Sequence, residues 1–174
     1  VPDDLISEVD RLSGQRIKAC YHCHKCAAGC PLIVAMEFGP DRLLRMAALG
    51  QSEALFRSRD IWLCAGCFTC TARCPNGIDL AAVMDAFRQM ALLKGYTAGE
   101  RDVLLFHRLF LGITKRFGRS HEATLLGMFK ILAHIPFLND LGAGIGLVLR
   151  GKVPLLPKRI KAVKEVQQIF QRSV

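Results

Sequence analysis

Residues 20–31 read CYHCHKCAAGCP, and residues 64–75 read CAGCFTCTARCP. Both follow C-x2-C-x2-C-x3-C-P, so Cys20, Cys23, Cys26, Cys30 and Pro31 recur as Cys64, Cys67, Cys70, Cys74 and Pro75. The two copies hold all 8 cysteines of the 174-residue chain, and everything after Cys74 lacks a thiol. An even cysteine count suits disulfides in a short secreted chain, but residues 1–19 run acidic and then polar, without an apolar leader pattern. A reducing cytoplasm is therefore the expected compartment, and eight thiols in a strict repeat read as metal ligands.

Two residues between successive cysteines let one turn direct three sulfurs at a single cuboidal cluster and bring backbone N–H groups near its sulfides. The proline after each fourth cysteine removes a donor and holds the preceding residue extended, so the chain leaves the cluster there. The spacing resembles that of bacterial two-cluster ferredoxins, in which the fourth cysteine of each run ligates the other cluster. Carried over position by position, the resemblance implies two 4Fe–4S clusters, one on Cys20, Cys23, Cys26 and Cys74, the other on Cys64, Cys67, Cys70 and Cys30. A pair of structural zinc sites is the competing reading, but zinc ribbons present two cysteine pairs per ion, not a triplet plus a distant fourth. His22 and His24 are surplus to eight thiol ligands and are expected on the solvent side or hydrogen-bonded behind the ligands. Ile61, Trp62 and Phe68 are expected to pack beside the second cluster and exclude water.

Outside the repeat no alternating strand pattern appears. The expected fold class is all-α: an α-helical ferredoxin domain over residues 1–96, then a helical subunit-docking extension over residues 97–174. Pro40 and Asp41 open a helix that Gly50 stops, and Ser52 is the expected cap of a helix from Glu53 to Arg59. Leu80, Val83, Met84, Phe87, Met90 and Ala91 share one face of a helix ended by Gly95. In the extension, Thr97 and Glu100 have the T-x-x-E capping pattern for a helix from Ala98 to Phe117, and Ser120 caps another through Leu132. An apolar stretch runs from Ile145 to Leu149. Pro157 then opens a last helix striped by Ile160, Val163, Val166, Ile169 and Phe170. An extension this thin cannot bury all of these stripes, so some face outward.

The chain is 51% hydrophobic with a net charge of +9. No apolar tract reaches the roughly 20 residues of a membrane-spanning helix, and partner-protein contact explains the apolar faces more economically than peripheral membrane contact. The cations read as spread along the chain, concentrated only at Lys158, Arg159, Lys161 and Lys164, which suits an acidic docking partner better than nucleic acid. His107, His121 and His134 lack a paired carboxylate and cysteine, so no catalytic residue is assigned and a packing or surface role is expected.

The two cysteine runs, the N-G-I-D-L that follows the second, the G-R-S-H-E of Gly118 to Glu122 and the helical tail together resemble the C subunits of heterodisulfide reductase and their bacterial relatives. The resemblance covers nearly the whole length. It implies an electron-transfer subunit of a hetero-oligomeric oxidoreductase complex, relaying single electrons between a flavin-containing A-type subunit and a B-type subunit with Cys-Cys-Gly modules. In methanogens the substrate implied is the mixed disulfide of coenzymes M and B; bacterial relatives work on others. The alternatives are the iron–sulfur subunit of a quinone-linked membrane complex or of an aromatic acyl-CoA reductase and, more remotely, a nucleic-acid-binding protein with structural clusters.

Overall fold

The computed structural model describes residues 2–96, 99–136, 142, 146, 150, 151, 154 and 157–172. All regular structure among them is helical, in agreement with the expected all-α class. The chain divides into two compact units, Val1–Arg101 and Asp102–Val174.

The first unit is organised by α7 (Leu80–Leu93). Its apolar residues recur at helical spacing, and Leu80, Val83, Met84, Phe87, Met90 and Ala91 are all buried. Asp79 starts the helix: its carboxylate accepts the N–H groups of Ala81 and Ala82, two donors that the first turn would otherwise leave unpaired. Gly95, at φ 75°, ends it. Against α7 pack α1 (Pro2–Ser13) and α4 (Ser52–Arg57), and α1 also packs on α3 (Pro40–Ala48). The sequence reading missed α1, although Leu5, Ile6 and Val9 have helical spacing and are buried. Phe56 on α4 is wholly buried, and a side chain of that size contributes about 1.5–3 kcal/mol on leaving water.

Both ends of α4 differ from expectation. Ser52 is the first residue of α4 rather than its cap, and the helix stops at Arg57 because Ser58 is extended at ψ 137°. That extension lets Asp60 open the short α5 (Asp60–Leu63) with its carboxylate turned inward. Asp60 accepts the N–H groups of Glu37 at 2.9 Å, Phe38 at 2.7 Å and Gly39 at 2.9 Å. It thereby ties the segment that follows the first cysteine run to the segment that leads into the second.

The second unit holds α8 (Arg101–Phe117, beginning at the boundary), α9 (Glu122–Leu132) and α10 (Val163–Arg172). Of the expected T-x-x-E cap, Thr97 lies outside the described residues. Glu100 instead pairs with Arg59 at 2.7 Å, and α8 starts only at Arg101. α9 is capped not by Ser120 but by His121, whose Nδ1 accepts the Thr124 N–H while Nε2 lies 2.8 Å from the Pro154 carbonyl. With both ring nitrogens engaged, His121 is buried. The last helix begins at Val163 rather than at Pro157. The stretch from Ile145 to Leu149 lies, apart from Gly146, outside the described residues. Ile113 and Leu125 are the buried apolar residues described in this unit, while Phe106, Phe110, Leu111, Leu126, Ile131 and Leu132 remain exposed.

Candidate iron–sulfur site

The two cysteine runs share one backbone conformation. His22 and His24 in the first run have φ of 51° and 61°, and the corresponding Gly66 and Phe68 in the second have 61° and 59°. Positive φ at alternate positions folds each stretch into a concave turn, of the kind whose N–H groups attract anions. His24 and Phe68 then begin equivalent short helices, α2 (Lys25–Ala28) and α6 (Thr69–Arg73). These two helices pack on each other. Their approach is close: a Cβ on Gly29 would come within 2.6 Å of the Arg73 side chain.

The packing carries the fourth cysteine of each run to the other run. One pocket, about 370 Å³ and partly open to solvent, is lined by Cys20, Cys23, Cys26 and Cys74 with Leu44, Ile78 and Leu80. A second, about 450 Å³, is lined by Cys30, Cys64, Cys67 and Cys70 with Met36, Ala81 and Met84. Cys74 reaches across because it is extended, at ψ 118°, before Pro75. The Ile78 N–H lies 3.4 Å from Cys74 Sγ, and the His22 N–H 3.4 Å from Cys20 Sγ. Donors of this kind stabilise a thiolate bound to iron.

Among the described residues no three Cys, His, Asp or Glu side chains converge closely enough to hold a single ion. Four zinc-bound thiolates would crowd within about 2.3 Å of one point. Four sulfurs spread around a pocket fit a polynuclear cluster, whose corners separate its ligands. Burial, reinforced by the Asp41 charge, pushes the Cys26 thiol up to about 11. Burial also raises Cys20 and Cys70. The exposed Cys67 is lowered by its bonds from Thr69. These half-buried thiols would therefore need the positive charge of bound iron to become thiolates, and cluster assembly would release their protons.

The surroundings of the two pockets differ. His24 Nδ1 lies 2.5 Å from the Asp41 Oδ2, with the histidine exposed and Asp41 buried. His22, Lys25 and Asp41 border the first pocket with it, whereas among the described residues the second is lined by no ionisable side chain beyond its cysteines. Ile61 and Trp62 are buried, but Phe68 is 55% exposed at the rim of the second pocket, contrary to the expectation that it seals the site. The left-handed φ at Phe68 turns its side chain out of the apolar interior. Sequence reasoning also missed Arg88. From α7 it donates through Nε to the Ile61 carbonyl at 2.6 Å and through Nη2 to the Cys64 carbonyl, fixing the entry to the second run. Asn76 likewise donates to the Ala19 carbonyl beside the first run.

Residues 16–78 match the family model of a 4Fe–4S dicluster domain. Over 107 residues the chain is 35% identical to an iron–sulfur C subunit of the CoB–CoM heterodisulfide reductase of Methanocaldococcus jannaschii, covering 62% of this chain and 54% of that protein. The chain is similar to the heterodisulfide reductase C subunits. The corresponding C subunit of Methanopyrus kandleri is 33% identical over 91 residues, 52% of this chain and 47% of that protein. The C subunit of the ferredoxin:CoB–CoM heterodisulfide reductase of Methanosarcina mazei is 30% identical over 93 residues, 53% of this chain and 57% of that protein. The chain thus spans about half the length of the curated C subunits it matches. The dicluster model encloses all eight cysteines, which makes iron–sulfur binding the chemistry of this site.

Proposed function

We propose that this chain is the electron-relay subunit of a heterodisulfide-reductase-type complex. In this reading it holds two 4Fe–4S clusters, one on Cys20, Cys23, Cys26 and Cys74 and the other on Cys64, Cys67, Cys70 and Cys30. The carrying observation is that each pocket gathers three cysteines of one run and the fourth of the other. Bound clusters supply one-electron redox chemistry; the protein supplies ligands, N–H donors, and the apolar side chains of Leu80, Ala81 and Met84, which keep water from the pocket walls. Because the fourth ligands cross, the two pockets are built on one rigid frame of α2, α6 and the start of α7. Such a frame keeps the distance between redox centres constant, as a relay requires. In the first pocket His22 Nδ1 stands 3.9 Å from Cys20 Sγ, but in this reading Cys20 is a cluster ligand and not a nucleophile, and substrate chemistry falls to partner subunits.

The partners that fit are a flavin-containing A-type subunit and a B-type subunit with Cys-Cys-Gly modules in a hetero-oligomeric cytoplasmic complex, with residues 97–174 as the docking extension. The exposed Phe110, Leu111, Leu126 and Met128 support a docking role, since large apolar side chains left open in this number mark an interaction surface. Purification of the native complex through a tagged full-length chain tests this. Co-purification of a flavoprotein and a Cys-Cys-Gly protein, with both clusters reduced through the flavin, is the expected result. Recovery of a cytochrome b instead would move the chain to a quinone-linked complex.

A further inference from the structure

Residues 102–174 hold twelve Lys and Arg against four Asp and Glu, so this unit carries eight of the chain's nine net positive charges. The fold concentrates them further. Ile160 N–H donates to the Phe117 carbonyl at 3.1 Å, and the guanidinium groups of Arg116 and Arg159 stand 5.8 and 5.9 Å from the Phe117 ring. The Lys115 ammonium stands 6.0 Å from the Phe170 ring. These contacts lay the segment around residues 158–164 beside the end of α8. Lys115, Arg116, Lys158, Arg159, Lys161 and Lys164 are all exposed there. Stretches 115–119 and 158–165 contain a single carboxylate, Glu165. The sequence alone showed only the second half of this patch.

The same unit exposes Ile169 on α10 at 65% and Ile131 on α9 at 64%. Cations of one sign accompanied by open aliphatic side chains match a ligand that is densely anionic on its surface and apolar beneath. We propose that this unit docks on an anionic phospholipid bilayer, with the six cations on the headgroups and the exposed aliphatic side chains at the acyl boundary. Mobile headgroups can satisfy cations wherever they lie, whereas an acidic protein face matches them only at fixed positions. A nucleic acid offers the charge but nothing for the aliphatic side chains. No described helix is long and apolar enough to cross a membrane, so the contact is peripheral. The inference is independent of the redox role of the cysteines.

The test is flotation of the full-length, cluster-loaded chain with vesicles of phosphatidylcholine, with and without phosphatidylglycerol. Binding is expected only with phosphatidylglycerol, and it should weaken steeply as salt shortens the screening length. Neutralising Lys158→Gln, Lys161→Gln and Lys164→Gln together should lower vesicle affinity about a hundredfold, since each surface cation contributes about 1 kcal/mol. Arg42→Gln with Arg45→Gln, two exposed cations of the first unit, should leave it unchanged. Absence of binding to phosphatidylglycerol vesicles, equal binding to neutral ones, or an unaffected triple variant would overturn the proposal. So would a triple variant that floats normally but loses its co-purifying subunits, which would give the patch to a protein partner.

Discussion

The Asp60 carboxylate holds the Gly39 N–H at 2.9 Å from a fully buried position, and by doing so spans the two cysteine runs. Gly39 sits at φ 79° at the start of α3, with its neighbours Glu37 and Phe38 donating to the same carboxylate. Three N–H groups, that of Gly39 buried and the other two partly so, depend on one side chain. Asp60→Ala should therefore destabilise the cluster-loaded protein by about 3–5 kcal/mol, the cost of leaving buried polar groups unpaired, whereas Asp60→Asn should cost about 1–3 kcal/mol. Chemical denaturation followed by circular dichroism measures both. Because Asp60 joins the segments bearing Cys30 and Cys64, the cluster proposed there should be lost first.

Gly39 itself gives a second test. Its Cβ would meet the Ile33 side chain at 2.7 Å, in a backbone region costly to residues with a Cβ. Gly39→Ala should lower stability by about 1–3 kcal/mol, while Gly77→Ala, also at positive φ but with open space around its Cβ, should cost only the backbone part. Thermal unfolding of the two variants side by side separates contact from conformation.

In the second unit, His121 is the joint. Replacing it with Ala removes the cap of α9 and the bond to Pro154, and should cost this unit about 1–3 kcal/mol. Hydrogen exchange of the Leu125 and Gly127 amides is the direct readout, and the amides of α7 should be unaffected.

How much of this was legible in sequence depended on which force decided each feature. The cysteine repeat was, because thiol spacing is itself the chemistry. The buried face of α7 was equally clear, since Leu80, Val83, Met84 and Phe87 repeat at helical spacing. α1 was missed because its acidic residues masked the triad Leu5, Ile6 and Val9. The capping role of His121 was hidden by Ser120, the commoner capping residue type, standing next to it. The left-handed backbone at His22, His24 and Phe68 has no sequence signal at those residues; only Gly66, in the matching position of the second run, hinted at it. The clustering of the cations could not be read from the chain, since the segment of Lys158 and Arg159 comes beside Lys115 and Arg116 through tertiary contacts such as those of Phe117 with Ile160 and Arg159.

Crossed ligation has its own experiment. Cys30→Ala should disturb the cluster held by Cys64, Cys67 and Cys70, and Cys74→Ala the one held by Cys20, Cys23 and Cys26. Each variant, reduced and examined by electron paramagnetic resonance, should keep one native signal, a different one in each case. If Cys30→Ala instead lost the signal that Cys74→Ala was expected to lose, each run would bind its own cluster.

All of this rests on what the eight cysteines bind, and quantitative iron and acid-labile sulfide analysis of the anaerobically purified chain, with reductive titration of the same sample, measures it directly. Two 4Fe–4S clusters per chain are expected, with iron and sulfide in equal amounts and absorbance that bleaches on reduction. Two zinc ions without sulfide, or clusters that accept no electron, would contradict the relay.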